Sequence, residues 1–259
     1  MSIPIYQIDA FTDRLFGGNP AAVCPLERWL PDEVMQAIAA ENNLSETAFF
    51  VGRAGEYALR WFTPASEVDL CGHATLASAH VILGRLEPTL DEVRFSSKSG
   101  PLRVTRDRGR LWLDFPARPP VASDPIQGLT EALGARPSEL WAARDVMAVL
   151  ASEAEVRSLK PDMGRLQALD RFGFIVTAPG ETADFVSRFF APSLGIPEDP
   201  VTGSAHCTLA PYWAERLGKR ELQALQVSPR GGELLCELRE DRVLIGGHAV
   251  SYLEGTIGL

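Results

Sequence analysis

Residues 44–83 read LSETAFFVGRAGEYALRWFTPASEVDLCGHATLASAHVIL, and residues 169–217 read LDRFGFIVTAPGETADFVSRFFAPSLGIPEDPVTGSAHCTLAPYWAERL. Laid side by side they are two copies of one unit. Gly55-Glu56 matches Gly180-Glu181, Arg60-Trp61-Phe62-Thr63-Pro64 matches Arg188-Phe189-Phe190-Ala191-Pro192, and Gly72-His73-Ala74 matches Gly203-Ser204-Ala205, with one three-residue gap in each interval. The copies lie about half a chain apart. The simplest architecture is therefore two similar lobes related by a pseudo-twofold, with a cleft between them of the kind that takes ligands.

Within each copy, β-rich apolar residues (Ala48 to Val51; Phe174 to Thr177) precede an aromatic-Pro turn, a loop, and a glycine that opens a helix. Helices of 11–14 residues are expected to stop at Gly84 and Gly218, and Pro211 should bend the second. Strands are expected at Leu102–Thr105 and Leu111–Phe115 in the first half. In the second half they are expected at Leu222–Val227, Leu234–Leu238 and Val243–Ile245. The stretch PARPPVASDP, Pro116 to Pro125, reads as a linker. This divides the chain into an N-terminal lobe, residues 1–116, and a C-terminal lobe, residues 117–259, whose last strand could pack back on the first.

With 259 residues, 46% of them hydrophobic, the chain can bury a large core. Its net charge of -9 and scattered Lys and Arg lack the basic footprint of a nucleic-acid binder. No apolar run reaches the roughly 18 residues of a membrane span, and the start lacks a secretory signal, so a cytoplasmic setting and no membrane partner are expected. The four cysteines form no CxxC pair and the four histidines no HExxH pattern, so reduced thiols and no metal are expected. There is no GxGxxG or P-loop, and no cofactor is expected.

The chemistry concentrates at the two helix starts. Unpaired backbone N–H groups and the helix dipole at Gly72 and Gly203 favour an anion, although an isolated glycine there could serve only a tight turn. Glu46 precedes Ala48, Phe49 and Phe50, while the matching position in the second copy is Arg171. Apolar rings strip water from such a carboxylate and move it toward acid-base work; the plainer alternative is a cap or surface ion pair. Asp199 likewise caps the second helix or fixes a substrate amine or hydroxyl. Cys71, at a helix start, is either a thiol of depressed pKa or a small buried hydrophobe. Its counterpart is Thr202, which speaks against a two-thiol racemase. An imidazole near a helix N-terminus tends to be neutral, which suits His73 to hydrogen bonding. His80, His206 and His248 read as structural.

The motifs QIDAFTDRLFGGNPAAV, NLSETAFF, FTPASEVDLCGHATLASAH, GIPEDPVTGSAHCTLAPYWAERLGK and QVSPRGGELL span nearly the whole chain. In that order they resemble the PhzF-like family, named for the phenazine-biosynthesis isomerase, within the wider diaminopimelate-epimerase fold. The resemblance implies an α+β fold of two lobes, each a mixed, barrel-like sheet around a central helix, usually a homodimer. It implies that Glu46 is the catalytic acid-base, acting with His73 and Asp199, and that Ser45, Cys71, Gly72, Gly203 and Ser204 line the ligand site, with Asn19 a further candidate. The expected function is a cofactor-independent proton shift on a small carboxylated metabolite. Two alternatives stand beside it: an epimerase using Glu46 with Cys71 or His73, and a binding protein without turnover.

Overall fold

A computed structural model describes residues 2–259. The chain forms two compact units: Met1–Asp114 with Ile245–Leu259, and Phe115–Leu244 between them. The boundary lies at residue 114, and the C-terminal segment belongs to the first unit.

In the first unit, β1 (Ser2–Ala10) pairs antiparallel with β2 (Asn19–Leu26), which runs parallel to β3 (Glu46–Arg53). Helix α1 (Asp32–Asn42) makes the crossover a parallel pair needs. β3 turns back into β4 (Glu56–Phe62), whose far end meets the short β5 (Glu67–Val68). After α2 (Gly72–Val81) the chain returns as β6 (Glu92–Ser97), parallel to β4, and folds through β7 (Gly100–Asp107) into β8 (Arg110–Pro116). Eight residues of α2, including Ala74, Leu76, Ala77 and Ala79, are buried. A helix apolar and small on every side, with no amphipathic stripe, belongs inside a core.

The second unit opens with β9 (Val121–Ala122), followed by α3 (Leu129–Leu133), β10 (Glu139–Ala142) and β11 (Val146–Val149). It continues through α4 (Glu153–Ser158), α5 (Met163–Ala168), β12 (Phe174–Pro179), β13 (Phe185–Ala191) and β14 (Ile196–Asp199). It ends with α6 (Gly203–Leu217), β15 (Glu221–Gln226), β16 (Gly232–Arg239) and β17 (Arg242–Gly247), the last crossing back into the first unit. The pairings repeat those of the first unit: β11 parallel to β12, β12 antiparallel to β13, β13 parallel to β15, β15 antiparallel to β16. Helix α6 is buried through Ala214 and ends at Gly218, whose φ of 66 is the left-handed cap a glycine adopts without strain. Pro211 lies inside it.

Three expectations need correction. Helix α2 does not stop at Gly84: its α-helical part is 10 residues long, and it continues as a π-turn, Ile82–Leu86, in which Gly84 has no left-handed φ. Helix α6 is one residue longer than expected, at 15 residues. The Pro-rich stretch is no free linker, since Val121 and Ala122 pair with β10, Ala117 N–H donates to Asp241 O, and Arg118 N–H donates to Cys207 O.

The duplication also extends to an ion pair that the aligned motifs contain. Arg60 donates from Nε and Nη2 to the two carboxylate oxygens of Glu67, and Arg188 does the same to Glu198. Arg60 opposes Phe49 on β3 and Arg188 opposes Val176 on β12. Counting three residues back from each partner pairs Glu46 with Gly173, so Arg171 is not its counterpart.

Arg188 is the more deeply held of the two, with a second pair of bonds from Nη1 to Val156 O and Leu159 O. Replacing it removes a donor from each carbonyl and strands a carboxylate that is 18% exposed. Arg188→Met should cost about 3–5 kcal/mol in urea unfolding, and Arg60→Met clearly less. Equal losses would show that the two bridges are energetically alike despite their different burial.

Candidate active site

Strand pairing and one helix start bring the first unit's polar residues together. Asn19 begins β2, Glu46 begins β3 two positions along the same parallel pair, and Cys71 and His73 flank Gly72 at the start of α2. All four side chains are buried: Asn19 fully, Glu46 at 8% exposed, Cys71 and His73 between these. Ser45 and Gly72, half-buried, are chain neighbours of Glu46 and His73.

His73 is the hub. Its Nε2 lies 3.0 Å from Glu46 Oε2, its Nδ1 3.2 Å from Asn19 Nδ2, and its Nδ1 3.4 Å from Cys71 Sγ. The approach to Glu46 has the distance of a hydrogen bond without its alignment, and Oε2 is buried with no directed donor. Such an oxygen has a lone pair that no aligned protein donor occupies. Burial lowers the imidazole's pKa, but the Cys71 and Glu46 charges raise it, and the net direction is well above 6.5. Burial, with Glu46 adding to it, pushes the Cys71 thiol up to about 11, so at neutral pH it is protonated and the carboxylate carries the effect on His73.

One expectation is thereby reversed and one open choice is decided. The His73 ring is not held neutral by the helix start: Cys71 and the Glu46 carboxylate, 3.0 Å away, move its pKa upward. Cys71 is a buried, protonated thiol, because desolvation outweighs the helix terminus. The amide of Asn19 follows the proton. A neutral ring can accept at Nδ1 from Asn19 Nδ2, whereas an imidazolium requires the amide to turn and accept through Oδ1. Glu46, Cys71 and His73 also present donor atoms within 4.8 Å of one another. The imidazole and carboxylate stand closer, however, than the roughly 3.3 Å that bonds of about 2.0 Å impose on two ligands of one tetrahedral zinc.

The second unit groups Asp199, Thr202, Gly203 and Ser204. Thr202, the N-cap of α6, donates from Oγ1 to Asp199 Oδ2 at 2.5 Å. Asp199 therefore holds the hydroxyl of the residue that leads into the helix. Gln226, in the QVSPRGGELL motif, accepts from Thr202 N–H through Oε1 and donates from Nε2 to Asp199 O and Thr202 Oγ1. Its role depends on a strand folding back to the turn, which spacing along the chain does not reveal. Arg144 and Asp145 also escaped the sequence reading: Asp145 is 1% exposed, and Arg144 bonds to both Asp145 and Ser204 Oγ. A charged doublet before an apolar run reads as a turn, and its burial appears only in three dimensions.

His206 is structural as expected. Its Nδ1–H donates to Thr202 O at 2.9 Å, and burial lowers its pKa to about 4. Thr75 in α2 makes the equivalent bond to Cys71 O. His80 meets Ser251 Oγ at 3.1 Å.

The model of the family PhzC-PhzF, described as phenazine biosynthesis-like protein, matches residues 8–255. An uncharacterized isomerase of Pseudomonas aeruginosa is 52% identical over 259 residues, covering all of both chains. An uncharacterized isomerase of Halalkalibacterium halodurans is 46% identical over 263 residues, covering 99% of each. The crystal structure of a PhzF-family phenazine biosynthesis protein of Enterococcus faecalis superposes with a TM-score of 0.98 at 51% identity, over the full length of both chains.

The Glu46–His73 pair has a sign that can be measured. A folded-state pKa raised above 6.5 means that the pair's contribution to stability is complete below that pH and is lost as pH rises through the raised value. In a histidine NMR titration His73 should titrate well above 6.5. Glu46→Gln, which removes the carboxylate's share of the upward shift, should lower it. A wild-type His73 titrating below 6.5 refutes the charged pair.

Proposed function

The chain belongs to the PhzC/PhzF family of phenazine biosynthesis-like proteins, and on that premise we propose that it is an isomerase that moves a proton on a small carboxylated metabolite, with Glu46 as the acid-base. The observation that carries this reading is the buried, undirected oxygen of Glu46 held beside His73. Glu46 takes a proton from a carbon made acidic by conjugation or a neighbouring carboxylate. The bonding pair passes into the conjugated system, and the protonated Glu46 returns the proton at another carbon. One carboxylate serves both steps, and holding the substrate makes the transfer effectively intramolecular.

His73 holds Glu46 in place between the two steps, and Asn19 orients His73. Ser45 and Gly72 are ligand contacts in the first unit, as are Asp199, Gly203 and Ser204 in the second. The same proposal includes action without a cofactor, a homodimeric assembly and a cytoplasmic setting, all on the strength of the family resemblance. The competing epimerase needs a second base, and a Cys71 thiol at about 11 is poorly suited to be one.

Small carboxylated metabolites screened in deuterium oxide by proton NMR should include one into which the wild-type protein exchanges deuterium. Glu46→Gln should retain binding and lower that exchange by roughly 10²–10⁴-fold. Exchange at the wild-type rate excludes Glu46 as the base, and binding without exchange in any wild-type hit favours a protein that only binds.

Cys71→Ser should turn over close to wild type. A loss as large as that of Glu46→Gln would transfer the reading to the two-base epimerase.

A further inference from the structure

The two units place chemically opposite groups against the second residue of their central helices. In the first unit that residue is His73, and the side chain facing it is the carboxylate of Glu46. In the second it is Ser204, and the side chain facing it is the guanidinium of Arg144, 3.1 Å from Nη2 to Oγ. The strand position equivalent to Glu46 is Gly173, where any Cβ would stand 2.9 Å from Asp145 Oδ1 and closer still to the Phe189 ring. The acid of this copy thus comes from the neighbouring strand and is already committed. Asp145 accepts from Arg144 Nε and Nη2 at 3.0 to 3.3 Å.

The guanidinium is built to stay in place. Asp145, 1% exposed, grips one edge, Ser204 holds Nη2, and the Phe172 ring lies 4.3 Å from Cζ. Arg144 itself remains 32% exposed, and among the described residues its Nη1 has no hydrogen-bond partner. Because Ser204 Oγ accepts from Nη2, its own O–H is left to donate. Two donors fixed beside each other on a cation, Nη1–H and Ser204 O–H, are what a carboxylate takes.

We propose that Arg144, with Ser204, is a carboxylate-binding site of the second unit. The duplicated unit has diverged into a proton-moving copy and an anion-holding copy. This rests on the isomerase reading only for the class of ligand.

Malonate is the probe, titrated by calorimetry at constant ionic strength. It should bind the wild-type protein and protect Arg144 from phenylglyoxal, read by peptide mass mapping. Arg144→Gln alone leaves Asp145 buried without its cation, so the informative variant is Arg144→Gln with Asp145→Asn, which removes both charges. It should bind malonate at least about tenfold more weakly, with Ser204→Ala intermediate. Absence of malonate binding, binding that leaves Arg144 labelling unchanged, or equal affinity in the double variant each overturns the proposal. None of these outcomes bears on deuterium exchange, so the role of Glu46 stands or falls separately.

Discussion

A carboxylate taken out of water must be compensated, and the first unit is organised around meeting that demand for Glu46. Stripping solvent from an ionised group costs several kcal/mol even after the protein relaxes. The compensation comes from His73, brought to 3.0 Å because the start of α2 lies against the β2–β3 parallel pair. Asn19 completes the arrangement from the neighbouring strand. Each partner arrives on a regular element, so the geometry does not depend on a loop. The compensation is also incomplete, since the carboxylate is charge-paired but one oxygen is not aligned with a donor. A fully satisfied carboxylate would be a good structural group and a poor base.

The second unit meets the same constraint differently. Its buried acid, Asp145, is gripped by a full guanidinium edge, and its helix entry is closed by Asp199, Thr202 and Gln226. With Asp145 and Asp199 both engaged, the outer edge of the Arg144 guanidinium is what remains to meet a ligand. Divergence after duplication has thus moved charge between strands while leaving the order of strand pairings intact.

Much of this was legible in the chain because glycine and aromatic-Pro turns fix backbone geometry locally. Gly72 and Gly203 do open the buried helices, and the strands fall where apolar β-rich runs place them. The position of Glu46 at a strand start was legible too, from Ala48, Phe49 and Phe50. The equation of Glu46 with Arg171 failed because similarity along the chain does not register a change in hairpin length, whereas strand pairing does. The expectation of a neutral His73 failed, and the choice at Cys71 stayed open, for a related reason. A helix terminus is visible in sequence, but the depth at which it is buried and the carboxylate it meets are products of the tertiary fold. Arg144 and Gln226 were invisible because their partners Ser204 and Thr202 lie 60 and 24 residues away, and the burial of Asp145 beside Arg144 is a product of the tertiary fold.

The strand that closes the first unit, Ala249–Gly258, comes from the far end of the chain and pairs with the first, Ser2 opposite Gly258. The second unit is continuous in sequence, whereas the first is a circle whose two ends meet last. One edge of β1 stays open until Ala249–Gly258 has been made, and the loop that this pairing closes contains the whole of the second unit. Synthesis order therefore makes the closing of the half that carries Glu46 a long-range event that follows synthesis of the other half.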